Sequence, residues 1–249
     1  MSITADLSES VAVVTGASSG IGRHFCTLLA DSGAVVVAAA RRAERLAKLQ
    51  RADGRIVPKT CDVTSSADNE RVIERAVALG GPHILVNAAG FGDAVPALEH
   101  PVEDFRRTLD VDLTATFEMS VLAARAMGER GGSIINIASV LGLTGSWPVT
   151  QAAYCAAKGG VVNLTRQLGA EWAERGVRVN AIAPGWFPSE QTEEMFARKD
   201  SMRWLKRNTP MRRVGRLDEL DGALLLLADD ASSFITGQTI AVDGGWTAH

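Results

Sequence analysis

Short apolar runs rich in β-branched residues alternate along this chain with longer stretches of helical periodicity. Six such runs are VAVVT from residue 11, VVVAAA from 35, ILVNAAG from 84, SIINIAS from 133, VRVNAIAPG from 177 and QTIAVDGG from 238. Strands without a polar face belong to parallel sheets that helices cover on both sides. The amphipathic stretches lie around residues 21–32, 42–51, 66–79, 102–128, 152–174 and 217–228. The alternation predicts a doubly wound α/β fold with a parallel sheet of about seven strands.

The composition and net charge of the chain indicate which classes of protein it can belong to. The 249 residues are 46% hydrophobic and no linker divides them, so we expect one domain over residues 1–249. A net charge of -3 without a basic stripe argues against a nucleic-acid partner. The polar start MSITADLSES lacks the order of a signal peptide, and no apolar run approaches the roughly 18 residues of a membrane span. We therefore expect a cytoplasmic protein without a membrane partner.

The sequence does not indicate a metal site or a disulfide framework. The cysteines, which form no CxxC pair, are Cys26, Cys61 and Cys155. The histidines, which are scattered along the chain, are His24, His83, His100 and His249. Neither set has the spacing of metal ligands.

One segment interrupts the regular alternation. Trp186–Arg216 is rich in charged residues and helix formers, and it follows a predicted strand. Insertions at the carboxyl edge of a parallel sheet lie where ligands bind. We predict a small helical lid around residues 186–214, with a surface helical hairpin as the alternative.

A glycine-rich turn, TGASSGIG, joins the first predicted strand to the first helix at residues 15–22. Glycines permit a tight turn and close approach of the backbone, and the helix N-terminus attracts a pyrophosphate. A structural turn without a ligand is the alternative. The residues predicted to contact a dinucleotide here are Gly16, Ser18, Ser19, Gly20, Ile21 and Gly22.

The end of the second strand bears on which dinucleotide binds. NAD-binding proteins usually have an acid there for the ribose 2′-hydroxyl, whereas this chain has Ala40 followed by Arg41 and Arg42. A guanidinium binds a 2′-phosphate through charge-assisted hydrogen bonds, so the sequence favours NADP(H), with NAD(H) still possible. Alternatively, the two arginines only begin a solvated helix.

Tyr154 and Lys158 lie one helical turn apart in YCAAK. They share a helix face, so the ammonium can favour the phenolate form of the tyrosine. A free phenol titrates near about pH 10 and is a poor base without such help. We predict that Tyr154 is a proton donor and acceptor.

Taken with three further motifs, these features make the chain resemble the short-chain dehydrogenase/reductase family over essentially its whole length. The motifs are the dipeptide Asp62-Val63, the run Asn87-Ala-Ala-Gly90 and the pair Pro184-Gly185. The resemblance extends to 3-oxoacyl carrier-protein reductases and sugar-acid dehydrogenases. It implies a Rossmann-type domain that moves hydride between a nicotinamide and a ketone or secondary alcohol. The further cofactor contacts that it implies are Asp62, Val63, Asn87, Ala88, Gly90, Tyr154, Lys158, Pro184 and Gly185.

The resemblance also assigns catalytic roles. Ser139 hydrogen-bonds the substrate oxygen, Tyr154 is the general acid/base, and Lys158 binds the nicotinamide ribose and lowers the pKa of the phenol. Taken alone, Ser139 could equally be a polar residue at a strand end. Family members are usually homotetramers or homodimers acting on small molecules, here a 3-oxoacyl thioester or a sugar acid.

Three positions depart from the family pattern. Asp112 stands where the family has an asparagine; it can accept hydrogen bonds but not donate them, and its charge raises the pKa of a nearby lysine. Ser189, with Thr192 as a second candidate, replaces a threonine that contacts the nicotinamide amide. Trp147 lies in a longer loop, where it either lines the substrate pocket or is exposed. Asp112 also leaves open a dinucleotide-binding regulator or scaffold with little turnover.

Overall fold

The computed structural model describes residues 5–248. Residues 1–4, which begin the polar N-terminal segment, and His249 lie outside the described residues. The strands are β1 (Val11–Thr15), β2 (Val35–Ala40), β3 (Ile56–Thr60), β4 (Ile84–Asn87), β5 (Gly132–Ile137), β6 (Val177–Pro184) and β7 (Thr239–Val242). The helices are α1 (Gly20–Asp31), α2 (Ala43–Ala47), α3 (Ser66–Val77), α4 (Val102–Leu109), α5 (Ala115–Met127), α6 (Ala152–Glu171), α7 (Glu193–Ala197), α8 (Lys199–Asn208) and α9 (Asp221–Ala228).

The strands form one seven-stranded sheet in the order β3-β2-β1-β4-β5-β6-β7. Every neighbouring pair is parallel. The chain winds outward in one direction from β1 and then returns to start again at β4, so the topological switch point lies between these two strands. The predicted doubly wound α/β fold is confirmed.

Two apolar layers cover the sheet, because successive strand residues point to opposite faces. On β1, Val14 packs with α1 and α9, whereas Val13 packs with α3 and α5. Fully burying an aliphatic side chain of this size contributes roughly 1.5–3 kcal/mol. Helices on both faces therefore explain why the strands carry no polar stripe.

β3 was not among the six predicted runs. Its sequence, IVPKT, includes Pro58 and Lys59, and most of its residues are only half-buried. β3 is an edge strand, where a proline is tolerated because one side of the backbone needs no ladder partner. Its pattern is therefore less apolar than that of the central strands.

The predicted helix at residues 102–128 is two helices joined by a π-helical turn, Asp110–Thr114. Such turns often mark functional sites. The turn contains Asp112, whose side chain is fully buried. Within residues 5–248, no helix has the length and apolar character that crossing a membrane requires. The same range contains no group of three or more His, Cys, Asp or Glu side chains able to hold a metal ion.

Candidate active site

A cleft of about 840 Å³ runs along the carboxyl ends of the strands. One end, which we call the β2 end, contains Ser18, Arg41, Arg42 and Asp62. The other, the Tyr154 end, contains Ser139, Asp112, Tyr154 and Lys158. The remaining predicted residues in its lining are Gly16, Ser19, Gly20, Ile21, Gly22, Val63, Ala88, Gly90, Pro184, Gly185 and Ser189.

The glycine turn is packed tightly against the end of β4. Gly16 has a φ of 67°, and a Cβ there would lie 2.6 Å from the carbonyl oxygen of Ala88. The Thr15 hydroxyl accepts hydrogen bonds from the backbone N–H groups of Ala88 (3.0 Å) and Ala89 (3.1 Å). Ser19 precedes α1 without capping it through its side chain, so the first N–H groups of the helix remain available to a phosphate.

The β2 end contains two arginines. Arg41 is exposed and has no hydrogen-bond partner for its side chain within residues 5–248, whereas Arg42 donates to the hydroxyls of Ser18 and Ser19 and to the carboxylate of Glu190. The Asp62 carboxylate accepts hydrogen bonds from the backbone N–H and hydroxyl of Thr64, which lower its pKa. The nearby charge of Arg41 lowers that pKa further. The Arg41 guanidinium is therefore available to a phosphate on the adenosine ribose.

Asn87 differs from the other predicted cofactor residues, since it is not part of the cleft lining. Its side chain is buried, and its amide donates to Asn136 (2.9 Å) and to Ser120 (3.0 Å). The Asn87 side chain thus ties β4 to β5 and α5, and its predicted contact with the cofactor stays a prediction.

Tyr154 and Lys158 lie in the first turns of α6. The Lys158 ammonium donates to the carbonyl oxygen of Ile137 at 3.0 Å and lies 5.6 Å from the centre of the Tyr154 ring. Ser139 ends the segment after β5, where its hydroxyl accepts from the backbone N–H of Leu141 at 3.1 Å. Strand β5 and helix α6 thus bring the predicted Ser, Tyr and Lys to one end of the cleft.

Asp112 is part of the same cluster. One of its carboxylate oxygens lies 3.0 Å from the Lys158 ammonium, and the other accepts from the backbone N–H of Phe91 at 3.1 Å. A Cβ on Gly90 would lie 2.4 Å from the Asp112 carboxylate, so a side chain there would displace this carboxylate. An ammonium has three donors, and Ile137 and Asp112 engage two of those on Lys158.

Burial raises the pKa of Tyr154, and the Asp112 carboxylate raises it further. Lys158 and a hydrogen bond from Ser139 act in the opposite direction, but the net pKa lies above that of a free phenol. Lys158 therefore lowers this pKa as expected, but burial outweighs its contribution. Burial acts to lower the pKa of Lys158, but the charges of Asp112 and Tyr154 raise it above its ordinary value.

The lid, residues 186–214, contributes part of the cleft wall. Its two helices, α7 and α8, match the predicted helical insertion. The backbone N–H of Ser189 donates to the Thr192 hydroxyl at 2.9 Å, and both residues line the cleft. Two tryptophans of the lid, Trp186 and Trp204, pack against each other and against Trp246, which follows β7, with ring centres 5.5–6.3 Å apart.

Sequence reasoning missed several residues of the lining. Arg107, Gln151 and Arg198 all line the cleft, although nothing in their local pattern distinguishes them from solvated polar residues on a helix or loop. Arg107 lies over the ring of Phe91, 5.3 Å from its centre. Trp147 is 80% exposed and does not contribute to the lining, so the exposed-loop alternative is correct.

A doubly wound sheet with a glycine turn at its switch point and a Tyr–Lys pair across the same cleft defines a dinucleotide-dependent oxidoreductase. The family profile described as Enoyl-(Acyl carrier protein) reductase matches residues 16–247. The galactitol 2-dehydrogenase (L-tagatose-forming) of Cereibacter sphaeroides is 39% identical over 244 residues, which cover 97% of this chain and 96% of that protein. A 3-oxoacyl-acyl-carrier-protein reductase of Thermotoga maritima is 34% identical over 247 residues, covering 96% and 98%.

A solved structure of a related dehydrogenase has the same fold as this chain. The gluconate 5-dehydrogenase of Burkholderia cenocepacia J2315, crystallised with NADP and tartrate, superposes with a TM-score of 0.92 at 36% identity. The match covers 98% of this chain and 97% of that chain. The chain belongs to the short-chain dehydrogenase/reductase family, and it is an oxidoreductase that acts on CH–OH groups.

Proposed function

We propose that the protein uses NADP(H) to interconvert a small ketone and its secondary alcohol. The observation that carries this proposal is a single cleft with Arg41 and Arg42 at the β2 end and Ser139, Tyr154 and Lys158 at the other. Ala40 occupies the end of β2, where an NAD-binding protein would have an acid. The NADP complex of the gluconate 5-dehydrogenase described above supports the choice of dinucleotide.

Each residue of the Tyr154 end has a chemical task in this proposal. Bound nicotinamide supplies or accepts the hydride. The Ser139 hydroxyl donates a hydrogen bond to the substrate oxygen, and Tyr154 gives that oxygen a proton in reduction or removes one in oxidation. The third donor of Lys158 is available to a ribose hydroxyl. Because these three side chains lie together, a non-catalytic scaffold is not favoured.

The first experiment compares oxidation of NADPH and NADH by the purified protein with keto acids, ketoses and 3-oxoacyl thioesters. We expect NADPH-linked turnover. Tyr154→Phe should reduce kcat by a factor of about 10²–10⁴ because the substrate oxygen loses its proton donor. Quenching of tryptophan fluorescence by NADPH serves as the control that Y154F still binds the dinucleotide. Turnover by Y154F close to that of the wild type would exclude Tyr154 as the general acid/base.

For the substrate we propose a sugar acid. Arg107 and Arg198 both line the cleft, and neither has a carboxylate partner within residues 5–248. Such guanidinium groups suit a substrate carboxylate. The related gluconate 5-dehydrogenase supports this class, whereas the related 3-oxoacyl reductase supports a 3-oxoacyl thioester as the second candidate.

Arg198→Gln separates an acidic substrate from a neutral one. We expect it to raise KM for a keto sugar acid about tenfold, through loss of a charge-assisted hydrogen bond, and to leave KM for a neutral ketose unchanged. Equal changes in KM for both substrates would show that Arg198 does not bind the carboxylate. Activity restricted to 3-oxoacyl thioesters would favour the second candidate.

We also propose that the protein is a homotetramer or homodimer of the cytoplasm. Strand β7 is a sheet edge without fully buried residues, and Phe234 just before it is fully exposed. Unprotected edges and exposed aromatic side chains are typical of subunit contacts. The three cysteines are free thiols, which fits a reducing compartment. Light scattering of the wild type and of Phe234→Asp tests the assembly, and cell fractionation tests the compartment.

A further inference from the structure

Glu190, in the first turn of the lid, forms ion pairs with two arginines from the segment after β2. Its carboxylate accepts a hydrogen bond from Arg42 at 2.8 Å and another from Arg45. The remaining N–H groups of Arg42 point to the glycine turn: they donate to Ser18 at 2.9 and 3.0 Å and to Ser19 at 2.7 Å. The Arg42 guanidinium therefore already has hydrogen-bond partners in the lid and in the glycine turn.

This ion pair lies where the proposed cofactor carries its distinguishing group. Ser18, Arg42 and Glu190 all line the β2 end of the cleft, which is the place for a 2′-phosphate in the proposed function. A phosphate monoester carries a charge of about -1.5 to -2 at neutral pH. It cannot share the Arg42 guanidinium with a carboxylate without electrostatic repulsion between the two anions.

Arg45 supplies a second partner for the displaced carboxylate. Unlike Arg42, it does not belong to the cleft lining. When a phosphate binds Arg42, Glu190 retains its ion pair with Arg45 and is not left without a counter-charge. The exchange therefore costs one partly exposed ion pair rather than two.

The next residue connects the same turn to the opposite wall. The amide of Gln191 donates to the carbonyl oxygen of Gly90 at 3.2 Å. Residues 190 and 191 therefore connect the lid by hydrogen bonds to both sides of the cleft, at the end of β2 and at the end of β4. Loss of the Glu190–Arg42 ion pair would remove one of these two connections.

We propose that Glu190 is a specificity-determining residue, which occupies Arg42 in the cofactor-free enzyme and is replaced there by the 2′-phosphate of NADP(H). This inference rests on the proposed use of NADP(H). Binding of a dinucleotide without the 2′-phosphate leaves the ion pair intact. Glu190 therefore weakens NADP(H) binding selectively and limits the preference for NADP(H) over NAD(H).

The test is calorimetric binding of adenosine 2′,5′-bisphosphate and of AMP, which lacks only the 2′-phosphate, to the wild type and to Glu190→Gln. We expect the Kd of the 2′-phosphorylated ligand to fall about three- to tenfold in E190Q, since one competing ion pair and its repulsion are removed. The Kd of AMP should change by less than about twofold. Glu194→Gln is the matched control, because Glu194 lines the same cleft from the lid but is not a partner of Arg42 or Arg45. It should affect both ligands equally.

A double-mutant cycle tests whether Glu190 acts through Arg42. In an Arg42→Gln background, the added E190Q substitution should change the affinity for adenosine 2′,5′-bisphosphate by less than about twofold. An equal gain in both backgrounds would overturn the proposal, since a long-range charge effect would then explain it. A weaker affinity of E190Q for AMP would also overturn it, because Glu190 would then hold the ribose hydroxyls of NAD(H).

The binding data separate failure of this inference from failure of the proposed function. A wild type that prefers adenosine 2′,5′-bisphosphate while E190Q shows no gain would overturn only the role of Glu190. A wild type and an E190Q variant that both bind the two ligands equally would overturn the role of Glu190 and the use of NADP(H) together.

Discussion

Asp112 adds a negative charge to the group of residues around Tyr154. Its buried carboxylate lies 3.0 Å from Lys158 and raises the pKa of both Lys158 and Tyr154. A lysine paired in this way favours the phenolate less than an unpaired one, because the carboxylate offsets its charge. Oxidation of an alcohol needs the phenolate as base, whereas reduction needs the phenol as acid. The residue at position 112 therefore shifts the pH dependence of the two directions.

Asp112→Asn should move the rise of alcohol oxidation with pH to lower pH, because removing the carboxylate lowers the pKa of Tyr154. At neutral pH, oxidation should become several-fold faster. Measurement of kcat against pH checks this shift. Asp110→Asn is the matched control: Asp110 belongs to the same π-helical turn but is exposed.

Equal pH profiles for the wild type and D112N would show that the carboxylate does not influence Tyr154. A large loss of turnover with unchanged dinucleotide binding would instead assign Asp112 a role of its own in proton transfer.

At the scale of elements, the two segments that carry the proposed catalytic side chains touch through their backbones. Gly142 lies in the turn after Ser139, and a Cβ there would lie 2.5 Å from the carbonyl oxygen of Lys158 in α6. A backbone carbonyl within a helix cannot move without moving the helix. The distance between Ser139 and the Tyr154–Lys158 pair therefore depends on residue 142 being a glycine, which has no Cβ.

Gly142→Ala should separate the turn from α6 and reduce kcat about 10²-fold, since small displacements of catalytic groups are costly. The overpacking should also lower the free energy of unfolding by about 1–3 kcal/mol. Gly145→Ala is the control, because a Cβ at that position in the same connection meets no atom within 4 Å. Urea unfolding and steady-state kinetics measure the two effects; equal kcat for both variants would contradict this account.

Burial explains which elements could be predicted from the sequence. Central strands such as β1 and β5 are covered on both faces, so their sequences are continuous apolar runs. The edge strand β3 is partly exposed to solvent and lacks this pattern. The cofactor turn and the Tyr–Lys pair were predictable because their spacing is local. Arg198 was not, because a side chain's position relative to the cleft depends on packing between distant elements.

At the scale of the whole molecule, the cleft joins the two halves of the sheet. The β2 end belongs to the half formed by β1, β2 and β3, and the Tyr154 end belongs to the half formed by β4 to β7. The lid reaches both, through Glu190 to Arg42 and through Gln191 to Gly90. A ligand in the cleft thus stabilises contacts between two halves that share one continuous sheet.

Thermal unfolding tests whether the two halves unfold together. NADP(H) at about 100 times its Kd should stabilise the protein by about 2.7 kcal/mol and raise Tm by roughly 5–10 °C in a single transition. Adenosine 2′,5′-bisphosphate fits only the β2 end and should bind more weakly, so at the same concentration it should raise Tm by a smaller amount. It should still shift the entire transition, because β1 and β4 are hydrogen-bonded neighbours. Two transitions, of which adenosine 2′,5′-bisphosphate shifts only one, would show that the halves unfold separately. AMP at the same concentration is the matched control, since it lacks only the 2′-phosphate: its Tm shift should be smaller than that of adenosine 2′,5′-bisphosphate if the 2′-phosphate contributes to binding.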